Sequence, residues 1–177
     1  MKLSTVALAI AALAVPAVAL AADKPAGPTD PQIAQIVVTA NQVDIDAGKL
    51  AAATTSNAEV KKFAETMVSD HTSVNKSAVD LVTKLHVTPE ANGTADSLKK
   101  GGDDNIAHLH TLHGASFDKA YVAREVAYHQ QVLDAVDHVL IPSAQNAELK
   151  ALLVKVRPAF AEHLEHAKML EKSLPNG

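Results

Sequence analysis

Residues 60–85, VKKFAETMVSDHTSVNKSAVDLVTKL, carry the pattern that decides the fold. Val60, Ala64, Met67, His71, Val74, Ala78, Leu81 and Leu85 recur at alternating steps of four and three. That spacing keeps side chains on one buried face of an α-helix. The same steps run through Leu149, Leu153, Val156, Phe160, His163, Ala167 and Leu170, and through Val122, Val126, His129, Leu133, Val136 and Leu140. Each of these three seams includes one histidine. An unpaired polar group in such a place costs on the order of 1–3 kcal/mol, so three of them point to a shared interior polar site.

Working outward, Ile33, Ile36, Ala40, Val43, Ala47 and Leu50 form a fourth stripe, and predict a first helix over about 31–53. Thr54 to Asn57 make the turn, and Ser56 or Asn57 can cap the helix that follows. That second helix is expected to stop near Val87, ahead of Thr88-Pro89. Residues 89–114 are polar, contain Gly93, Gly101, Gly102 and Gly114, and read as a long crossover. Within it we expect two short helices, over about 94–100 and 104–113. A third long helix opens at Ser116 and ends near Pro142; a fourth spans about 145–173. Pro158 lacks an amide hydrogen and is expected to kink or restart that last helix. Aromatic residues are scarce and no strand-like alternation is present. The expected architecture is all-α, an antiparallel four-helix bundle over 32–173, with the crossover between the second and third helices.

The chain opens with Lys2 and an apolar run from Val6 to Leu20, ending Ala19-Leu20-Ala21. These features predict a cleavable signal peptide over 1–21, followed by a flexible Pro- and Gly-containing leader over 22–31. A periplasmic or secreted location follows as the expectation, with no transmembrane span after cleavage. There is no cysteine, which excludes disulfides, thiolate metal sites and cysteine nucleophiles. The net charge of -4 and the scattered lysines argue against a nucleic-acid partner, because no basic stripe is available to neutralise phosphates.

Imidazole is a common ligand for divalent metals, and bundles build such sites from facing helices. The candidate ligands are His71, His129, His163, Glu125, Asp44, Asp118 and His166. Turn positions place His71 level with Ala40 and Asn41, with Asp44 one turn away, and place Glu125 near His163. Asp70 lies off the seam and is expected to face lysines. Ordinary roles compete: Asp118 with Arg124 or Arg157, the Tyr121 hydroxyl on a buried carboxylate, and Glu125/His129 and Glu162/His166 as stabilising helix pairs. Buried histidines can also satisfy one another in a network that only specifies packing. Three readings therefore stand: a transition-metal site serving envelope metal handling or stress, a structural or interaction bundle, and an enzyme, such as a redox enzyme, at the same interior site. His108, His110 and His113 form a second short tract of a kind that can chelate a transition metal on a surface, with a solvated loop as the favoured reading. No phosphate-binding loop or nucleophile elbow is present, so nothing in the sequence points to an enzyme.

Several separated motifs, Met67-Val-x-Asp70-His71, Phe117-Asp118-x-x-Tyr121-Val122, the lone His129, and Pro158 followed by His163-Leu164, resemble the bacterial family called domain of unknown function 4142. The resemblance covers roughly Gln32 to Leu170. It implies a ferritin-like four-helix fold and an exported protein; members are sometimes labelled outer-membrane proteins, though no alternating barrel strands occur here. Two departures stand out. Asp44-Ile45 replaces the family's usual Glu-Ile, and the His108, His110, His113 cluster takes the place of leucine and small polar residues. Ferritin-like di-iron sites use Glu-x-x-His, a spacing this chain lacks. Zinc or copper suits the available imidazoles and carboxylates better.

Overall fold

A computed structural model describes residues 27–175, and among them every regular element is helical. Helix α1 spans Asp30–Thr54, α2 Ala58–Lys84, α3 Gly93–Leu109, α4 Gly114–Ala135 and α5 Ala147–Ser173. The expected signal peptide and the first part of the leader lie outside the described residues. No helix among the described residues is long and apolar enough to cross a membrane.

The helix ends are set by local chemistry. Thr29 and Gln32 close a capping box at the start of α1. Asn57, Asn92 and Asn146 each accept hydrogen bonds from first-turn amides of α2, α3 and α5. Asp30 receives the amides of Gln145 and Asn146, both at 2.9 Å, which pins the start of α1 to the turn before α5.

Two apolar clusters order the long helices. One joins Ala47 and Ala51 of α1, Val60 to Met67 of α2, Phe117 to Val122 of α4, and Ala167 and Leu170 of α5. The other joins Ile33 to Val37, Ala78, Val136 to Ala144, and Leu149 and Leu153. The late part of α1 therefore packs with the early parts of α2 and α4 and the late part of α5. At the opposite end the relation reverses.

One local expectation needs correction and another is narrowed. The crossover holds one helix, not two, because α3 runs unbroken through Gly101 and Gly102. Gly102 serves packing: a Cβ there would lie 2.8 Å from Val43 Cγ2, so α3 approaches α1 more closely than a side chain would permit without a shift of Val43. Of the kink or restart expected at Pro158, the restart does not occur: helix α5 continues through it. At the end of α4 the helix widens into a π turn, Val136–Leu140, with the Ile141 amide reaching back to the Val136 carbonyl. A proline ring clashes with the carbonyl four residues earlier in a regular α-helix, and the wider turn accommodates Pro142.

The Gly102 contact yields an expectation measurable by thermal or urea unfolding. Gly102→Leu should destabilise by roughly 1–3 kcal/mol through overpacking against Val43. Gly101→Ala, whose Cβ would meet only the Arg124 guanidinium at 3.8 Å, should instead stabilise by roughly 0.5–1 kcal/mol. Equal effects at the two positions would refute this account.

Candidate metal centre

Between the two apolar clusters each long helix contributes polar residues. Asn41 and Asp44 fall between Val37 and Ala47 of α1, and His71 between Met67 and Ala78 of α2. Glu125 and His129 fall between Val122 and Leu133 of α4, and His163 lies between Phe160 and Ala167 of α5. All six are between 1% and 6% exposed, so none relies on bulk water for solvation. The imidazoles of His71, His129 and His163 meet with ring centroids 5.2–5.5 Å apart, and Phe160 stacks on His71 at 5.3 Å.

Each ring has one nitrogen engaged by an acceptor. Asn41 donates its Nδ2 to the Val37 carbonyl at 2.8 Å, which turns its Oδ1 toward α2. His71 Nδ1 donates to that Oδ1 at 2.7 Å. His129 Nδ1 donates to the Glu125 carbonyl at 3.0 Å, and His163 Nε2 donates to Asp70 Oδ2 at 3.0 Å. Carbonyls and carboxylates only accept, so these contacts put the protons on the engaged nitrogens. The lone pairs are left on His71 Nε2, His129 Nε2 and His163 Nδ1, and these three buried atoms have no hydrogen-bond partner. Glu125 Oε2 and the Tyr121 hydroxyl are also buried without partners; the one further such atom among the described residues is Asn75 Oδ1.

One nitrogen from each of His71, His129 and His163 lies within 4.8 Å of the others, and the same holds for ligand atoms of Asp44, Glu125 and His129. These buried groups can hold a metal ion. Asp44 Oδ2 stands 3.4 Å from His71 Nε2, and Glu125 Oε2 stands 3.4 Å from His129 Nδ1. Burial, and next the facing Glu125, push the Asp44 carboxyl well above the usual carboxylate range, with Arg124 opposing. Burial, and then repulsion from His129 and His163, push His71 down to about 2. Burial also lowers His163, against the hydrogen bond it donates to Asp70. Tyr121 is raised by burial, then by Glu125 and Asp44, so its phenol keeps its proton. His71 and His163 are thus held toward the neutral imidazole, the form that binds metal.

The structure brings together five of the seven expected ligands: His71, His129, His163, Asp44 and Glu125. Asp118 lies elsewhere, accepting from the Thr55 hydroxyl beside the α1–α2 turn. His166 is half-buried and packs edge-on against Phe63 at 5.1 Å. Neither Arg124 nor Arg157 meets Asp118: Arg157 forms a two-pronged pair with Asp137, and Arg124 lies over the Tyr128 ring. Asp70, expected to face lysines, instead holds His163, and Asn41 orients His71. Asn41 was legible from its level opposite His71. Asp70 was not, because a residue beside a seam position reaches inward only when a neighbouring helix offers it a donor.

The arrangement defines a class: an all-helical protein whose long helices enclose a histidine–carboxylate cluster with fixed tautomers. The chain belongs to the family described as Domain of unknown function (DUF4142), whose model matches residues 15–170. Comparison with curated proteins and with solved structures gives no match.

The buried histidines make stability pH-dependent in a definite direction. The unfolded chain takes up a proton at His71 near its ordinary value of 6.5, whereas the folded chain resists until about 2. Stability from this residue is therefore complete above 6.5 and falls toward pH 2, by at most about 1.4 kcal/mol per pH unit. His163 acts in the same sense. Asp44 acts in the opposite sense, since a raised carboxyl favours the folded state on acidification. In chelator-treated protein, His71→Gln should flatten the loss of urea-unfolding stability between pH 6.5 and 5. An unchanged slope would show that His71 does not titrate in this way.

Proposed function

We propose that this protein binds a divalent transition-metal ion, zinc or copper, at His71, His129 and His163, with Asp44 and Glu125 supplying carboxylate oxygen and charge. The observation that carries the proposal is the set of three buried, unpartnered imidazole nitrogens whose opposite nitrogens are already engaged. Metal-ligating histidines almost always donate the other ring N–H to a carboxylate or carbonyl, which fixes the tautomer and strengthens the ligand. Here Asn41, the Glu125 carbonyl and Asp70 fill those roles. Five unpartnered polar atoms at about 1–3 kcal/mol each would consume roughly the whole stability of a domain this size. A cation bound among them removes most of that cost. Imidazole-rich, carboxylate-poor donors favour zinc or copper over calcium or magnesium.

We read the packing of α1, α2, α4 and α5 as an antiparallel, ferritin-like four-helix bundle, with α3 as the crossover. The basic start and apolar run ahead of Ala21 support export, and so a role in envelope metal handling or stress. The stacking of Phe160 on His71 supports a second reading, in which the histidines only specify packing.

Untagged protein, stripped with chelator and titrated with zinc and with copper in a calorimeter, separates the two. We expect stoichiometric binding, and about 2.7 kcal/mol of added stability at free metal one hundred times Kd. The His71/His129/His163 triple alanine variant should bind neither ion at this site. If neither ion binds wild type more tightly than it binds that variant, the metal reading fails and the packing reading stands. Asp70→Asn, which keeps the shape but weakens the acceptor, should lower metal affinity by about 10–100-fold while the protein remains folded. Unaltered affinity would remove Asp70 from the site.

A further inference from the structure

A cavity of about 230 Å³ lies beside the histidine cluster, between α1, the first half of α3, the end of α4 and the first half of α5. Its walls are aliphatic, with Val37 and Ile36 from α1, Leu98 from α3, Val132 from α4, and Leu153 and Val156 from α5. The π turn completes the wall with Val136, Val139 and Leu140. Such turns occur mostly as local insertions in helices, frequently at functional sites. Thr94, Gln131 and Val139, all exposed, also line the cavity and form a rim open to solvent. At the inner end the lining becomes polar, with Asn41, Asp44 and His71.

We propose that this cavity is a binding site for a small uncharged amphiphile, an aliphatic chain or ring bearing one hydroxyl-like group, with the apolar part among the aliphatic walls and the hydroxyl at His71 and Asp44. Three observations select this chemistry. The volume exceeds the roughly 150 Å³ that suffices for a benzene ring in an apolar cavity, so a ligand on the order of eight non-hydrogen atoms fits. The aliphatic walls exclude a charged ligand, whose desolvation they could not offset. Asn41, Asp44 and His71 line the inner end of the cavity, the one place where buried side chains bring polar groups to its wall. A hydroxyl at that end can exchange a hydrogen bond with the Asp44 carboxyl, whereas a carboxylate would give up its hydration among the aliphatic walls. A few convergent polar groups at one end of an apolar pocket are the usual form of a small-molecule site.

The site borders the proposed metal cluster and shares His71 with it, but does not depend on bound metal. The test therefore uses chelated protein, so that its failure and the failure of metal binding are read separately. 1-Hexanol and hexanoate serve as probes, followed by saturation-transfer NMR and by thermal unfolding. We expect saturable 1-hexanol binding with a raised Tm, and hexanoate binding at least about tenfold weaker. Ala135→Phe fills the cavity from the end of α4 and should weaken 1-hexanol binding by about tenfold or more. Leu98→Trp fills it from α3 and should do the same, so the test survives if one variant fails to fold. Three results would each overturn the proposal: no saturable 1-hexanol binding by folded wild type, undiminished binding by a folded filling variant, or hexanoate binding as tightly as 1-hexanol.

Discussion

Everything in this protein is arranged around polar side chains enclosed where water cannot solvate them. Three imidazoles and two carboxylates occupy the centre of the helical packing, each less than one-tenth exposed. Such a centre is tolerable only if the groups satisfy one another or share a cation. The hydrogen bonds that the rings donate to Asn41, the Glu125 carbonyl and Asp70 satisfy one side of each ring and define its tautomer. They leave the other side facing its counterparts. Replacing such buried polar groups by apolar ones is often neutral or stabilising in proteins, so packing alone does not call for these side chains.

The apolar clusters on either side of the cluster give it rigidity. Phe63, Met67, Phe117 and Tyr121 pack one end, and Ile33, Val136, Leu149 and Leu153 pack the other. Because each long helix passes through both, a shift of any one helix would cost packing at both ends. The imidazoles are thus presented by a frame that resists collapse onto the site, as a metal-binding or ligand-binding centre requires. Helix α3, admitted close to α1 by Gly102, covers the side where the aliphatic cavity approaches His71.

Much of this was legible in the order of residues. Alternating steps of four and three identified the long helices and put His71, His129 and His163 on their inner faces. Turn positions placed Asn41 and Asp44 opposite His71, as observed. Other features escaped. Gly101-Gly102 reads as a helix breaker when local propensity alone is weighed, and its role became visible only with Val43 against it. Pro142 marks the ending as expected, but the π turn just before it was not legible. Asp118 and His166 share helix faces with true cluster members, yet lie too near the far end of the packing to reach the centre. Asp70 sits off its seam, and its direction is set by His163 on another helix.

Periodicity and capping chemistry are local properties, and the sequence by itself determined where the helices run, which stripe of each is buried, and that three histidines lie on those stripes. Which nitrogen of each ring is engaged, which carboxylates join them, and whether space remains beside His71 depend on the separation and rotation of helices far apart in the chain. Those quantities emerge only when all the long helices pack at once, since a displacement of one side chain's width exchanges a ligand for a surface residue. The tertiary structure therefore decided the chemistry of a centre whose existence the sequence had already required.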